Sequence, residues 1–432
     1  MSHPFRALGP NTFMTSDDDP MDAPDDAPTT LSAPPGADGI VDLPATEQAA
    51  RRRVSETRRP GKRATNTLVR VATKFATFLV ALFLFILALQ LMKTGAKAVA
   101  PGIEGSFLFS NGASTLGFGW ISAYVVLSGS PVAATSLALF DGGVISPLET
   151  FTMLSGSRLG ASFIVLLTGF LYALRNRGHN RRESIGMGVL ALSLTAIVYL
   201  PGFVIGYWLL SSEALSGIRW HASEDLLGVV DYVWGPVERF LYGLVPGSSA
   251  TAADPELWVM LPIGLGVLLL SFKLLDRALP QMSGSERRAD RRTEWLKRPW
   301  PMFLIGCLVA TLTLSVSVAL TVLVPLASKG IVKRREAIPY IMGANIMTLA
   351  DTLVAAMILG NPVAVQIVLA QAIGVTIVTL VILAFIYKPT ADGVLRLDRW
   401  VVGTNRRLWG FVGALLLLPL LLILSGLFVG GT

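Results

Sequence analysis

Nine long apolar runs constrain the chain more than any other feature: residues 73–92, 115–140, 150–174, 185–210, 257–275, 301–327, 337–359, 363–387 and 408–429. Runs of this length match the ~30 Å hydrocarbon core of a bilayer. Inside that core a peptide group has no water to bond to, so continuous apolar runs are stable there only as helices. The chain is 52% hydrophobic and 15% charged, with mean hydropathy +0.60, which excludes an ordinary soluble domain. The expected fold class is an all-α polytopic membrane protein.

Loop charge decides which runs cross, because basic loops stay cytoplasmic. The basic segments are residues 51–63 (RRRVSETRRPGKR), 175–182 (RNRGHNRR), 273–298, 329–335 (KGIVKRR) and 388–407, whereas the long segment 211–256 leans acidic. If all nine runs crossed, two basic loops would lie outside and the acidic one inside. If runs 115–140 and 301–327 are instead re-entrant hairpins, every basic loop falls inside and the acidic one outside. Ten to thirteen helical residues on each arm reach ~15–20 Å, about half way through the core. The first hairpin then enters from outside and the second from the cytoplasm.

Those two hairpins belong to a repeat. Residues 127–162 align without gaps on residues 314–349, an offset of 187, with Leu127, Ser128, Ser130, Leu139, Gly143, Glu149 and Gly156 falling on Leu314, Ser315, Ser317, Leu326, Gly330, Glu336 and Gly343. Each copy holds a Leu-Ser-x-Ser break, an apolar run, a Gly-led turn with a Glu, and a second Gly-led break, expected at 156–160 and 343–347. Paired, interrupted hydrophobic segments of opposite orientation mark a transporter's binding site. The fold expected is therefore one of inverted structural repeats, each with a re-entrant helical hairpin and a broken transmembrane helix. Its parts are a disordered cytoplasmic tail (1–68), a first transmembrane half (69–210), an extracytoplasmic interfacial loop (211–256) and a second half (257–432).

Little else in the sequence suggests chemistry. The single cysteine, Cys307, reads as a small buried hydrophobe, and His3, His179 and His221 are scattered. HExxH, P-loop and GxSxG motifs are missing, so the chain is not expected to be an enzyme. Gly117/Gly119 and Gly264/Gly266 read as close helix packing. Polar groups at membrane depth are the informative ones, since broken backbone there must line a cavity or be buried in protein. Ser128, Ser130, Ser315 and Ser317 at the hairpin tips, with Ser157, Ser162, Asn345 and Thr348 at the later breaks, form a candidate site for a small oxyanion and a coupling cation. Arg158 and Asp351 lie in apolar runs, where a charge costs roughly 2.5–3.5 kcal/mol. They should pair with each other or face a cavity, and Arg158 offers a guanidinium fork to an anion.

These residues resemble the sodium-dependent phosphate cotransporter family, whose duplicated signature is a Gln-Ser-Ser-Ser hairpin and a Gly-Ala-Asn-Ile-Gly-Thr break. The likeness spans about residues 75–430, from a first helix ending LALQLMKTG to a last helix with a mid-span proline. The resemblance implies that Ser128, Gly129, Ser130, Ser315, Val316, Ser317, Gly343, Ala344 and Asn345 form phosphate and sodium sites, sodium lying near Ser317, Asn345 and Thr348. Leu127 and Leu314 stand where the family has Gln, and Gly129 and Val316 where it has the central Ser. GANIMT survives at 343–348, but the first copy reads GSRLGA, with Arg158 in the place of Asn.

The expected function is secondary active transport of an inorganic oxyanion, phosphate first, by alternating access. Arg158 would replace the charge of one sodium ion, so that sodium coupling is altered or lost. The alternative is a non-transporting membrane scaffold or sensor built on the same fold. No cofactor is expected beyond sodium as a coupling ion, and no metal centre or nucleic-acid partner. Expected partners are phosphate or a similar oxyanion, the lipid bilayer with anionic lipid at residues 51–63, and a second copy in a homodimer. The expected location is the plasma membrane, with the N-terminus cytoplasmic and the C-terminus extracytoplasmic.

Overall fold

The computed structural model describes residues 61–103, 106–175, 181–218, 255–278, 298–313, 316–328 and 332–429, with a few positions between 220 and 240. The tail before residue 61 and most of the loop at 211–256 lie outside the described residues. All regular structure among the described residues is helical. In chain order the helices are α1 Gly61–Ile103, α2 Gly112–Val126, α3 Gly129–Asp141, α4 Pro147–Ala161, α5 Phe163–Arg175 and α6 Arg181–Ser211. The second half follows with α7 Met260–Ala278, α8 Pro299–Thr313, α9 Val316–Thr321, α10 Leu323–Ser328, α11 Arg334–Met347, α12 Leu349–Ile358, α13 Pro362–Val381, α14 Tyr387–Val402 and α15 Asn405–Val429.

Among the described residues, seven helical segments are long and apolar enough to cross a membrane: Ala72–Gly102, Pro147–Arg175, Arg182–Ser211, Leu257–Ala278, Arg334–Ile358, Pro362–Val402 and Asn405–Phe428. They coincide with the seven runs expected to cross, and the chain is a multi-pass membrane protein. The other two runs form no such helix. The first is split into the 15-residue α2 and the 13-residue α3, each ~20 Å long. The second is split into α8 and two short helices, α9 and α10. The break between α2 and α3 falls at Leu127, held in the left-handed region at φ 56°, where a side chain with a Cβ is strained by about 1–2 kcal/mol. Ser128 then turns extended and begins α3.

Two helix pairs are built alike. α4 starts with a capping box, in which Ser146 Oγ accepts from Glu149 N at 3.3 Å and Glu149 Oε2 accepts from Ser146 N at 2.7 Å. Residues 187 further on, at the start of α11, Glu336 Oε2 accepts from Lys333 N at 3.1 Å. In α2 against α4, Gly119 lies on the Met153 carbonyl and Gly156 on the Leu116 carbonyl, so near that a Cβ on either would overlap backbone. In α8 against α11, Gly306 lies on the Tyr340 carbonyl and Gly343 on the Phe303 carbonyl. All four contacting pairs obey the same offset of 187.

The Gly-led breaks fall later than expected. α4 runs unbroken through Gly156 and Gly160 and ends at Ser162, and α11 runs through Gly343 and ends at Thr348. The helical weakness of glycine, about 1 kcal/mol against alanine, is offset by the backbone approach it allows. The freed backbone groups therefore belong to the positions after the glycines.

Proline places further polar contacts. A helical proline has no N–H and leaves the carbonyl four residues earlier unpaired. Pro419 in α15 frees the Leu415 carbonyl, which accepts from the Tyr124 hydroxyl at 3.1 Å. Pro339 in α11 frees the Arg335 carbonyl, which accepts from Tyr387 at 3.1 Å. Both otherwise orphaned carbonyls thus join two helices. One large apolar cluster, containing Leu137, Leu154 and Leu190 with Ile341, Val365 and Val375, draws on both halves. As expected, Gly117, Gly119 and Gly264 pack closely, on Pro419, Met153 and Met92, whereas Gly266 has open space around it. Cys307 is half-buried and its thiol lies 3.5 Å from the Gly343 carbonyl.

Among the polar contacts between distant segments are two sets that involve helix ends and loops. In one, Lys93 Nζ pairs with Asp141 Oδ2 at 2.7 Å and Asn361 Nδ2 donates to Asp141 Oδ1 at 2.9 Å. In the same set, Ser110 Oγ donates to the Gly426 carbonyl at 3.1 Å and Gln366 Nε2 to the Ile218 carbonyl at 3.2 Å. In the other, Arg334 pairs with Asp398 and, at 2.8 Å, with Glu183, and donates to the Arg182 carbonyl at 2.9 Å; Arg335 pairs with Asp392 at 3.1 Å.

A candidate anion site around Arg158

α4 carries the centre of the site. Gly156 and Gly160 turn towards α2, which leaves Ser155, Arg158 and Ser162, spaced three and four residues apart, on another face. This polar stripe is buried, and Arg158 is only 2% exposed. Its Nη2 donates to Thr352 Oγ1 and lies 3.5 Å from Asp351 Oδ1. Thr352 in turn donates to Asp351 Oδ1 at 2.9 Å. The triangle uses one nitrogen of Arg158 and one oxygen of Asp351. Arg158 Nε and Nη1 and Asp351 Oδ2, all buried, have no hydrogen-bond partner among the described residues. A buried polar group left in this way is costly, typically by 1–3 kcal/mol and more when charged.

The rest of the stripe is occupied. Ser155 Oγ lies 2.5 Å from Gln371 Oε1 of α13. Ser162 Oγ lies 2.7 Å from Thr195 Oγ1 of α6, and Thr195 accepts from Asn345 Nδ2 at 3.1 Å. The Asn345 carbonyl accepts from Thr348 Oγ1 at 2.8 Å and from the Tyr199 hydroxyl at 2.9 Å. Asn345, in the position equivalent to Arg158, is thus tied to the same α4 face through Thr195 and Ser162.

The tip of the first broken run joins this cluster. Gly129 has no room for a Cβ because the Ser157 carbonyl and Ala161 lie against it. Ser128 and Ser130 flank that contact; Ser130 is buried, and the Ser128 side chain makes no capping bond to α3. Ser157 itself donates to the Leu154 carbonyl at 2.7 Å, so its proton is spent on its own helix. Gly343 serves the packing of α8 on α11. Ser315 lies outside the described residues, as does the side chain of Ser317, on α9.

Sequence reading missed Thr352, Thr195, Tyr199, Ser155 and Gln371. Gln371 was detectable as one of two amides, with Gln366, inside a long apolar run. The hydroxyls carry a weaker signal, since a Ser or Thr in a membrane helix can bond its own backbone.

A sodium ion needs oxygen ligands, and the cluster holds one unpartnered carboxylate oxygen, Asp351 Oδ2. The first-half position holds a guanidinium. In the second half the Asn345 carbonyl already accepts two hydroxyls, and the Asn345 amide nitrogen is turned towards Thr195. Among the described residues, no group of three or more His, Cys, Asp or Glu side chains could hold a metal ion.

Residues 267–423 match the model of the family described as Na+/Pi-cotransporter, which supports membership of that family. No curated protein and no solved structure matches the chain.

Proposed function

We propose that this member of the Na+/Pi-cotransporter family is a secondary active transporter of inorganic phosphate or a similar small oxyanion, working by alternating access at the Arg158 cluster. The family is one of transporters rather than enzymes, and at that level it suggests phosphate transport. One observation carries the reading: a buried arginine with two free N–H-bearing nitrogens, beside the tip of a broken apolar run. Asp351 offsets the charge, and each free nitrogen still favours an acceptor that can reach it.

In this reading α2–α3 and α8–α10 are re-entrant hairpins and the two halves are inverted repeats. The offset of 187 shared by the helix contacts supports the repeat. The two sets of polar contacts support the orientation: Asp141, Asn361, Ser110 and Gly426 belong by the charge rule to the outer side, and Arg334, Glu183 and Asp398 to the cytoplasmic side. Neither set joins a segment expected outside to one expected inside. Opening towards either side requires the set on that side to part, while the oxyanion stays with Arg158 and the hairpin serines. Arg158 supplies a fixed positive charge where relatives use a bound cation, so uptake depends less on sodium than theirs.

Uptake of radiolabelled phosphate into proteoliposomes tests the reading. Arg158→Ala, Ser128→Ala and Ser317→Ala are each expected to abolish it, and unchanged uptake in all three removes the site assignment. A chain that takes up no phosphate and gains no thermal stability from any oxyanion is a scaffold or sensor instead.

A further inference from the structure

We infer that the outward face of α14 and the start of α15 form a binding site for the headgroup of an anionic phospholipid, built from Arg396, Arg399 and Arg407 around Trp400. The inference is independent of the Arg158 cluster. Residues 362–402 make a 41-residue helical segment, about 60 Å long if straight and twice the ~30 Å hydrocarbon core. α13 and the π-helical turn Ile382–Ile386 that follows it already reach about 37 Å, enough to cross. Ile386, at φ −124° and ψ 22°, then leaves the helical region, and α14 continues at the water side as a separate, amphipathic helix.

The inward face of α14 is occupied. Ala391, Val394, Asp398 and Val401 are buried, Asp398 pairs with Arg334, and Asp392 pairs with Arg335 at 3.1 Å. Both acids of the helix are thereby engaged, and among the described residues no ion pair joins an acid to Arg396, Arg399 or Arg407. Arg396 and Arg399 are exposed neighbours one turn apart, and such like-charged pairs repel. The fold nevertheless brings a third cation to the same turn. Arg407, also exposed, holds its Cζ 4.9 Å from the centroid of the Trp400 ring, and Trp400 is the next-turn neighbour of Arg396. Stacking uses the face of the Arg407 guanidinium and leaves its edge N–H groups for an acceptor. Arg399 uses only Nε, on the Leu395 carbonyl at 3.2 Å. An anion among the three guanidiniums offsets their repulsion, and a phosphate group matches their fork geometry. The surroundings favour a lipid over a soluble anion. Leu397 and Trp400 are exposed beside the arginines, and the exposed Trp409 stacks at 6.2 Å on Phe170 of α5, as aromatic rings do at a membrane surface. By the charge rule this side is cytoplasmic, where anionic lipids concentrate.

The test uses the full chain in detergent micelles, with melting temperature read against added dioleoylphosphatidylglycerol, dioleoylphosphatidylcholine or soluble glycerol phosphate. Phosphatidylglycerol should stabilise the unaltered protein at a concentration at least about tenfold below that of phosphatidylcholine, and glycerol phosphate should not reproduce the effect. Arg396→Gln, Arg399→Gln and Arg407→Gln together should remove most of that preference. A second triple, Lys273→Gln, Arg277→Gln and Arg298→Gln, removes the same charge from exposed positions on the same side and should keep it. Trp400→Leu, which takes away the ring under Arg407 but no charge, should weaken the preference by about threefold. Equal loss in both triples means diffuse charge only and overturns the site. So does a glycerol phosphate effect at the same concentrations that the first triple abolishes, which marks a site for a soluble anion. Equal stabilisation of the unaltered chain by the two lipids overturns it as well, and that comparison decides even if a variant fails to accumulate.

Discussion

At residue 158 the first half carries a guanidinium, and 187 residues on, at Asn345, the second half carries a neutral amide; yet the helices that hold them, α4 and α11, pack on α2 and α8 through equivalent contacts. Gly119 and Gly156 answer to Gly306 and Gly343, and the capping glutamates Glu149 and Glu336 hold the two helix starts alike. The difference teaches where freedom lies in such a fold. Positions where backbones touch cannot accept a Cβ, whereas the polar position two residues beyond Gly156 or Gly343 can change from amide to guanidinium if a buried carboxylate is near. Asp351 is that carboxylate, and it is supplied by the second half.

The sharpest way to break the comparison is to remove the guanidinium. Arg158→Ala leaves Asp351 buried and unpaired and should cost about 3–5 kcal/mol, read as a large fall in melting temperature. Adding Asp351→Ala should recover much of that loss, which a double-mutant cycle measures. Arg158→Asn in an Asp351→Asn background makes the two halves alike, and should make any remaining uptake more dependent on sodium. Next in size is Arg334→Gln, which removes the partner of the fully buried Asp398 and of Glu183. It should destabilise the fold by about 2–4 kcal/mol and raise the reactivity of a cysteine placed near Arg158 towards a reagent added from the cytoplasmic side.

Gly156→Ala and Gly343→Ala should each cost about 1–3 kcal/mol by overpacking, with similar shifts in melting temperature. Very unequal shifts would show that the two helix pairs are not equivalent in energy. The smallest effects belong to the proline-freed carbonyls. Tyr387→Phe should cost about 1 kcal/mol, since it leaves one carbonyl without its hydroxyl, and Tyr124→Phe somewhat more, since it also removes the acceptor of Trp120 Nε1 at 2.7 Å.

Much of the architecture was legible before any coordinates. Apolar length and loop charge separate seven long runs from two short-armed ones, and the structure draws the same division. That Arg158 and Asp351 should pair or face a cavity follows from the cost of a lone charge among apolar residues, and the fold brings them to 3.5 Å. The exact breaks did not follow, because a glycine reads as a helix stop whether it ends a helix or admits a neighbouring backbone. Gly156 and Gly343 do the second. Thr352 and Thr195 were hidden for a different reason. A threonine in an apolar helix has a local acceptor always within reach, so only the fold reveals whether its hydroxyl faces another helix.

The Leu415 carbonyl, bonded to Tyr124, has a consequence for how the molecule is made. α15 leaves the ribosome long after α2, yet its Pro419 turn rests on Gly117 and its final turn accepts from Ser110, both in or next to the first broken run. That region therefore waits, with part of its surface uncovered, while some three hundred residues are synthesised. A ribosome that stalls before residue 415 leaves a chain whose first half has every residue it needs except its lid, and quality control that senses uncovered small-residue surface in the bilayer has a clear mark to read.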